Sequence, residues 1–235
     1  MLTLRKASDR GYTKTEWVDS YHTFSFAEYH DPKFTHFGCL RVINDDYIKA
    51  DAGFGMHPHS DMEIITYLLD GELEHRDSLG NGSLIRKGDV QRMSAGTGVL
   101  HSEFNPSPDN NTHLLQIWIF PEFKDLMPAY EQVHITDEEK LNHFHLIASK
   151  HNNIGTVTIH QDALIYAGLF VDHTVHEYHI NKSRQVYLHM ARGKAIINGI
   201  PVSLGDGLML VDEQIVILDN ADNAEVLLFD LPSTN

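Results

Sequence analysis

The chain has 235 residues, with 33 acidic against 18 basic side chains and a formal charge of −15. That length suits one large β domain or two of about 100–150 residues, each able to bury its own core. The charge excludes nucleic acid and anionic lipid as expected direct partners, and with no signal-like N-terminus and no apolar run near the roughly 18 residues of a bilayer span, a soluble, cytoplasmic protein is expected.

The single cysteine, Cys39 in "FGCLRV", cannot close an internal disulfide, and its apolar neighbours fit a buried, inert thiol. Next comes "GMHPHSDMEIITYLLDG", where His57 and His59 stand two apart ahead of an apolar run. Residues two apart on a strand share a face and lie about 6.6–6.8 Å apart along the chain. The stretch "YLLDGELEHRDSLGNGSLIRKGDVQRM" then reads as strand, glycine turn at Gly71, strand, polar turn, and a strand led by Gly88-Asp89. In "GVLHSEFN", strand parity puts His101 and Glu103 on one face. The long strand "LLQIWIFP" ends at Pro121.

Residues 122–142 have the composition of a connector, with Pro128 and "TDEEK"; Thr136 and Glu139 have capping-box spacing and predict one short helix. Beyond it, His143 and His145 of "HFH" repeat the two-residue spacing without a companion pair. His176 and His179 of "HEYH" fall one residue short of the helical zinc motif and sit in a strand context. Both pairs read as non-ligands. The stretch "HMARGKAIINGIPVSLGDGLML" then echoes the first half: Gly193 answers Gly71, and Gly205-Asp206 answers Gly88-Asp89. "VLLFDLP" closes this half as "LLQIWIFP" closes the other. Two copies of one β unit explain the echo, with bounds 1–121, 122–142 as connector, and 143–235.

Strands neighbouring in a sheet run about 4.8 Å apart, so His57, His59, His101 and Glu103 can converge on one ion. Three imidazoles and a carboxylate suit a divalent first-row cation. No nucleophile elbow, phosphate-cradling loop or paired cysteines compete with that reading.

The blocks "YHTFSFAEYHDP", "GMHPHSDMEIITYLLDGELEHRDSLGNG" and "GDVQRMSAGTGVLHSEFN" resemble the pirin family, and the likeness runs through nearly the whole chain. Pirins are bicupins, so the resemblance implies an all-β fold of two tandem cupin barrels. The chain departs from the general cupin pattern: seven residues rather than six separate Glu63 from Gly71, Ser94 stands where proline is usual, and four residues separate Gly96 from His101. Asn105 falls where that pattern places asparagine.

The general cupin pattern would make Glu63 a ligand. The pirin resemblance instead implies Glu103 as ligand and as the catalytic base. Glu63 shares strand parity with His57 and His59, which makes it a candidate to face the cavity and orient an imidazole from behind. Aligning the two glycine turns puts His179, Asn181 and Gln185 opposite His57, His59 and Glu63, so the second barrel is expected to lack the metal site. What the resemblance implies is a quercetin 2,3-dioxygenase: one divalent cation, Fe(II) first, with Mn, Co, Ni, Cu or Zn as alternatives, acting on a flavonol and O2 with loss of carbon monoxide. It also implies two alternatives, a metal-dependent co-regulator that binds a protein partner, or a bicupin oxygenase for a non-flavonol substrate.

Overall fold

The structure, a computed structural model, describes residues 1–151 and 153–233. Closely spaced turn signals leave room mainly for strands, and among the described residues twenty form. The first twelve are β1 (Leu2–Arg5), β2 (Gly11–Lys14), β3 (Val18–His22), β4 (Leu40–Ile48), β5 (Ala52–His59), β6 (Glu63–Asp70), β7 (Glu72–Asp77), β8 (Gly82–Arg86), β9 (Asp89–Ser94), β10 (Val99–Asn105), β11 (Thr112–Ile119) and β12 (Ala129–His134). The rest are β13 (His145–Ser149), β14 (Val157–Thr158), β15 (Leu164–Phe170), β16 (His176–His179), β17 (Arg184–Ile197), β18 (Ile200–Ser203), β19 (Gly207–Leu210) and β20 (Ile215–Pro232). The helix α1 (Asp137–Lys140) starts where the sequence predicts, with Thr136 and Glu139 exchanging both bonds of a capping box. No helix among the described residues is long and apolar enough to cross a membrane.

A seven-stranded front sheet runs β12-β9-β6-β11-β4-β3-β2, and a four-stranded small sheet runs β5-β10-β7-β8. The nine-stranded rear sheet follows β1-β19-β17-β20-β15-β13-β14, with β16 and β18 attached. The chain passes from front to small sheet at Gly71, whose φ is +80° and where a Cβ would meet the Asn111 carbonyl oxygen at 2.8 Å. Gly193 is left-handed too, with φ +66° and the Asn223 carbonyl oxygen 2.2 Å from a Cβ. The internal echo in the sequence therefore records a backbone requirement met in both halves.

The front sheet is buried on both faces, which is why its strands read as nearly continuous apolar runs. Ile65, Tyr67 and Leu69 of β6 with Leu115 and Ile117 of β11 join Ile165, Ala167, Leu227 and Phe229 in one core shared by the two halves. The alternate residues Leu68 and Leu114 pack under the small sheet instead. The rear sheet encloses a separate apolar core that includes Val186, Leu188, Met190, Leu208, Val226 and Leu228. Cys39 packs against the shared core, and burial pushes its thiol up to about 12, so it is no nucleophile.

Two segments at the edges of the expected units take part in sheets. The connector 122–142 is not free chain, because β12 pairs with β9 from Ala129–Ser94 to His134–Asp89 and completes the front sheet. Residues 2–5, expected in the first unit, pair with β19 and cover an edge of the rear sheet. The helix α1 also places Lys140 at the interface, 2% exposed, with Nζ 3.0 Å from the Tyr67 hydroxyl and 3.5 Å from Glu225 Oε1. Tyr67 donates to the same Glu225 oxygen at 2.6 Å. Lys140→Ala strands a buried carboxylate, which Arg192 Nε still approaches at 3.5 Å. An expected loss of about 2–3 kcal/mol in urea unfolding follows, somewhat below that for an isolated buried pair.

Candidate metal centre

Antiparallel pairing sets His101 of β10 directly opposite His57 of β5, and Val99 opposite His59. The register then slips, so that Glu103 pairs with Phe54 and the two residues Gly55 and Met56 face Ser102 alone. This β-bulge turns β5 so that Phe54 and His57, three apart, line one cavity between the small and front sheets.

The three imidazoles converge there. Ring centroids lie 4.8 Å apart for His57–His59, 4.4 Å for His57–His101 and 4.8 Å for His59–His101. One nitrogen from each lies within 4.8 Å of the others, and among the described residues this is the one such group. His143, His145, His176 and His179 stand outside it. His57 Nδ1 lies 2.7 Å from the Gly55 carbonyl oxygen. A carbonyl can only accept, so Nδ1 carries the proton and Nε2 keeps its lone pair. His101 is 2% exposed and neither of its ring nitrogens has a hydrogen-bond partner.

A buried polar group left unpaired costs about 1–3 kcal/mol, so this arrangement fits a shared cation that the imidazoles would ligate. Burial, then the His101 and His57 imidazoles, lowers His59 to about 4; burial, then His57 and His75, lowers His101 to about 3. Neutral imidazole is the form that binds metal.

Those depressed values give a stability prediction for the metal-free protein. In the unfolded chain a histidine protonates near 6.5, whereas His59 and His101 resist until about 4 and 3. The unfolded state thus binds more protons as pH falls below about 6.5, and stability drops by about 1.4 kcal/mol per pH unit for each excluded proton. Urea unfolding between pH 7 and pH 4.5 should show that fall, to which the buried His189, lowered to about 3, adds its own share, and His101→Ala should remove one proton's share of it.

Glu103 lines the same cavity but does not belong to the tight histidine group. It is 4% exposed, and Gln116 Nε2 donates to both carboxylate oxygens at 2.9 Å. Thr66 Oγ1 donates to Oε1 at 3.3 Å. The carboxylate therefore bridges from β10 to the front sheet.

Glu63 does not back an imidazole of the group. Its carboxylate accepts from Ser94 Oγ at 2.9 Å and lies 3.2 Å from His160 Nδ1, a residue of the second half. Shared parity with His57 and His59 carries no meaning across residues 60–62, because β5 ends in the small sheet and β6 begins in the front sheet. Asn105 is buried and clamps its strand end through Nδ2 to the carbonyls of Ile48, Lys49 and Asn110.

The cavity measures ≈ 280 Å³, at the small end of ligand sites. Two edge-to-face aromatic pairs belong to its wall, Trp17–Phe54 at 4.8 Å and Phe26–Trp118 at 5.4 Å between centroids. Sequence reasoning passed over Gln116 and the cavity-lining residues Ser20, His22, Asn44 and Asp46. The signal was polar residues inside otherwise apolar strands, as in "LLQIWIF" and "RVINDDYI". Burial pushes Asp46 up to about 7, Asp45 and Glu103 adding to it and the Ser20 hydroxyl opposing. Burial likewise holds His22 below its usual range.

Comparison with known proteins bears on this geometry. A family model described as Pirin matches residues 4–119, and one described as quercetinase C-terminal cupin domain matches residues 146–231. A protein of Escherichia coli strain K12 named quercetin 2,3-dioxygenase is 47% identical over 234 residues, which is 99% of either chain. The crystal structure of YhhW from Escherichia coli is similar with a TM-score of 0.95 at 45% identity, covering 100% of this chain and 99% of that one. A structure described as bacterial pirin YhhW in complex with nickel(II) gives the same TM-score of 0.95 and 45% identity, with 100% of both chains covered.

Proposed function

The chain belongs to the pirin family and has its bicupin fold, and on that premise we propose that it is a metal-dependent dioxygenase opening the heterocycle of flavonols such as quercetin, with release of carbon monoxide. The observation that carries the reading is the convergence of three neutral-capable imidazoles, one with both nitrogens unpartnered, in the wall of an aromatic-lined cavity. The names of the relatives support the same reaction class.

His57, His59 and His101 would hold a divalent cation, with Glu103 as the fourth ligand. Fe(II) is the first candidate, and the nickel(II) in the Escherichia coli relative supports a first-row ion. Such a cation supplies a Lewis-acidic seat for the hydroxyl–ketone edge of a flavonol and a means of engaging O2. The chain does the remaining work. Trp17, Phe54, Phe26 and Trp118 give a flat substrate apolar faces to lie against and keep bulk water out. Glu103, a carboxylate between the histidines' cavity and Gln116, would take the proton of the flavonol 3-hydroxyl.

The test is carbon monoxide release from quercetin under air by metal-loaded protein. Release that disappears in His57→Ala supports the dioxygenase. Metal-loaded protein that releases none sinks it.

A further inference from the structure

Four polar side chains form a two-by-two patch on the front-sheet wall of the cavity. Ser20 and His22 of β3 stand directly opposite Asp46 and Asn44 of β4 in the antiparallel register. All four line the cavity and are buried, at 6%, 2%, 3% and 4% exposed for Ser20, His22, Asp46 and Asn44. They share the cavity with the histidines but belong to the other sheet.

The patch has a defined hydrogen-bond direction. His22 Nδ1 lies 2.8 Å from Asn44 Oδ1, and an amide oxygen only accepts, so Nδ1 donates. His22 Nε2 is then an acceptor, served at 2.9 Å by the Thr13 hydroxyl. Ser20 Oγ donates to Asp46 Oδ1. These bonds leave Asn44 Nδ2 and Asp46 Oδ2 without a side-chain partner among the described residues, and neither atom is sealed from the cavity. Asn44 Nδ2 donates, and Asp46 Oδ2 accepts once its carboxyl, which burial raises to about 7, is ionised; together they are the pair that a hydroxyl group can satisfy at once.

We propose that Asn44 and Asp46, held in place by His22 and Ser20, are specificity-determining residues that bind a hydroxyl of the substrate on the front-sheet wall of the cavity. This rests on the flavonol reading and narrows it: the cavity takes a flat aromatic molecule with a chelating oxygen pair and a further hydroxyl that meets the front-sheet wall. A ligand lacking that hydroxyl leaves both atoms unpaired in a largely apolar cavity, so discrimination is by omission as much as by attraction.

Two probes separate the terms. Quercetin and 3-hydroxyflavone share the 3-hydroxyl and 4-ketone edge, but only quercetin carries further hydroxyls. Kd for each is measured anaerobically on metal-loaded protein at about pH 8, where the Asp46 carboxyl is ionised, for the parent, Asn44→Ala and the near-isosteric Asp46→Asn, with thermal melting to confirm folding. The expected parent preference for quercetin is about tenfold or more, collapsing several-fold toward unity in both variants. Should Asn44→Ala not fold, Asp46→Asn carries the test. A parent ratio near unity, or a ratio unchanged in the variants, overturns the proposal. Carbon monoxide release, followed separately, distinguishes the two readings: turnover with an unaltered ratio sinks the patch alone, and a collapsed ratio without turnover sinks the reaction alone. Binding of neither flavonol to the parent sinks both.

Discussion

His101→Ala is expected to abolish stoichiometric metal retention and, with it, quercetin turnover by more than about 100-fold, while leaving the metal-free protein about as stable as its parent. The two halves of that expectation have one origin. Both nitrogens of His101 are buried and unpartnered, so in the metal-free fold the ring is a liability of about 1–3 kcal/mol for each unmet polar atom. Alanine removes that liability at the same time as it removes packing, and the ring already borders a cavity, so little new void is sealed in. With metal the balance inverts. Altering a group that merely hydrogen-bonds a ligand costs about 10–100-fold in affinity or activity, and deleting a ligand from the group costs more. Metal content after dialysis, read beside melting curves with and without chelator, checks both halves. Stoichiometric metal in His101→Ala would place the ion elsewhere; a metal-free variant several kcal/mol weaker than its parent would make His101 a packing residue.

The grouping of His57, His59 and His101 was legible because period-two alternation and sheet spacing are local rules that hold within a strand and between neighbours. The capping box at Thr136 and the paired turn glycines Gly71 and Gly193 were legible for the same reason. Where the reading went astray, the cause was nonlocal. Nothing in "LTLR" shows that residues 2–5 will pair with residues 207–210, since that partnership depends on an edge formed two hundred residues later. Glu63 was misplaced because parity was carried across a change of sheet. The roles of Gln116, Asn44 and Asp46 were hidden by the front sheet, which is buried on both faces: alternation says that residues 115 and 116 diverge, but not which of them meets the cavity.

Glu103→Gln is the more informative substitution, because it separates a ligand from a base. In the parent, Gln116 Nε2 donates to both Glu103 oxygens at 2.9 Å, and the Thr66 hydroxyl lies 3.3 Å from Glu103 Oε1 and from Gln116 Oε1. A glutamine at 103 can offer its own amide nitrogen only by turning away from Gln116 or by making that amide flip, so the variant keeps the shape and loses the charge. With the three imidazoles intact and an amide oxygen left in place of the carboxylate, metal affinity should fall, but by less than in His101→Ala, where a ligand is deleted outright. Turnover at saturating metal should fall further, by about 10²–10⁴-fold, the usual worth of a positioned general base. Metal loss without a further drop at saturating metal would leave Glu103 a ligand only, and full metal with full turnover would remove it from the site. Gln116→Leu probes the same carboxylate from the other side. It withdraws the donor that holds Glu103 toward the front sheet, so a Glu103 that must leave Gln116 to reach the cation should bind metal more tightly in that variant, whereas one that acts from its present position should lose activity.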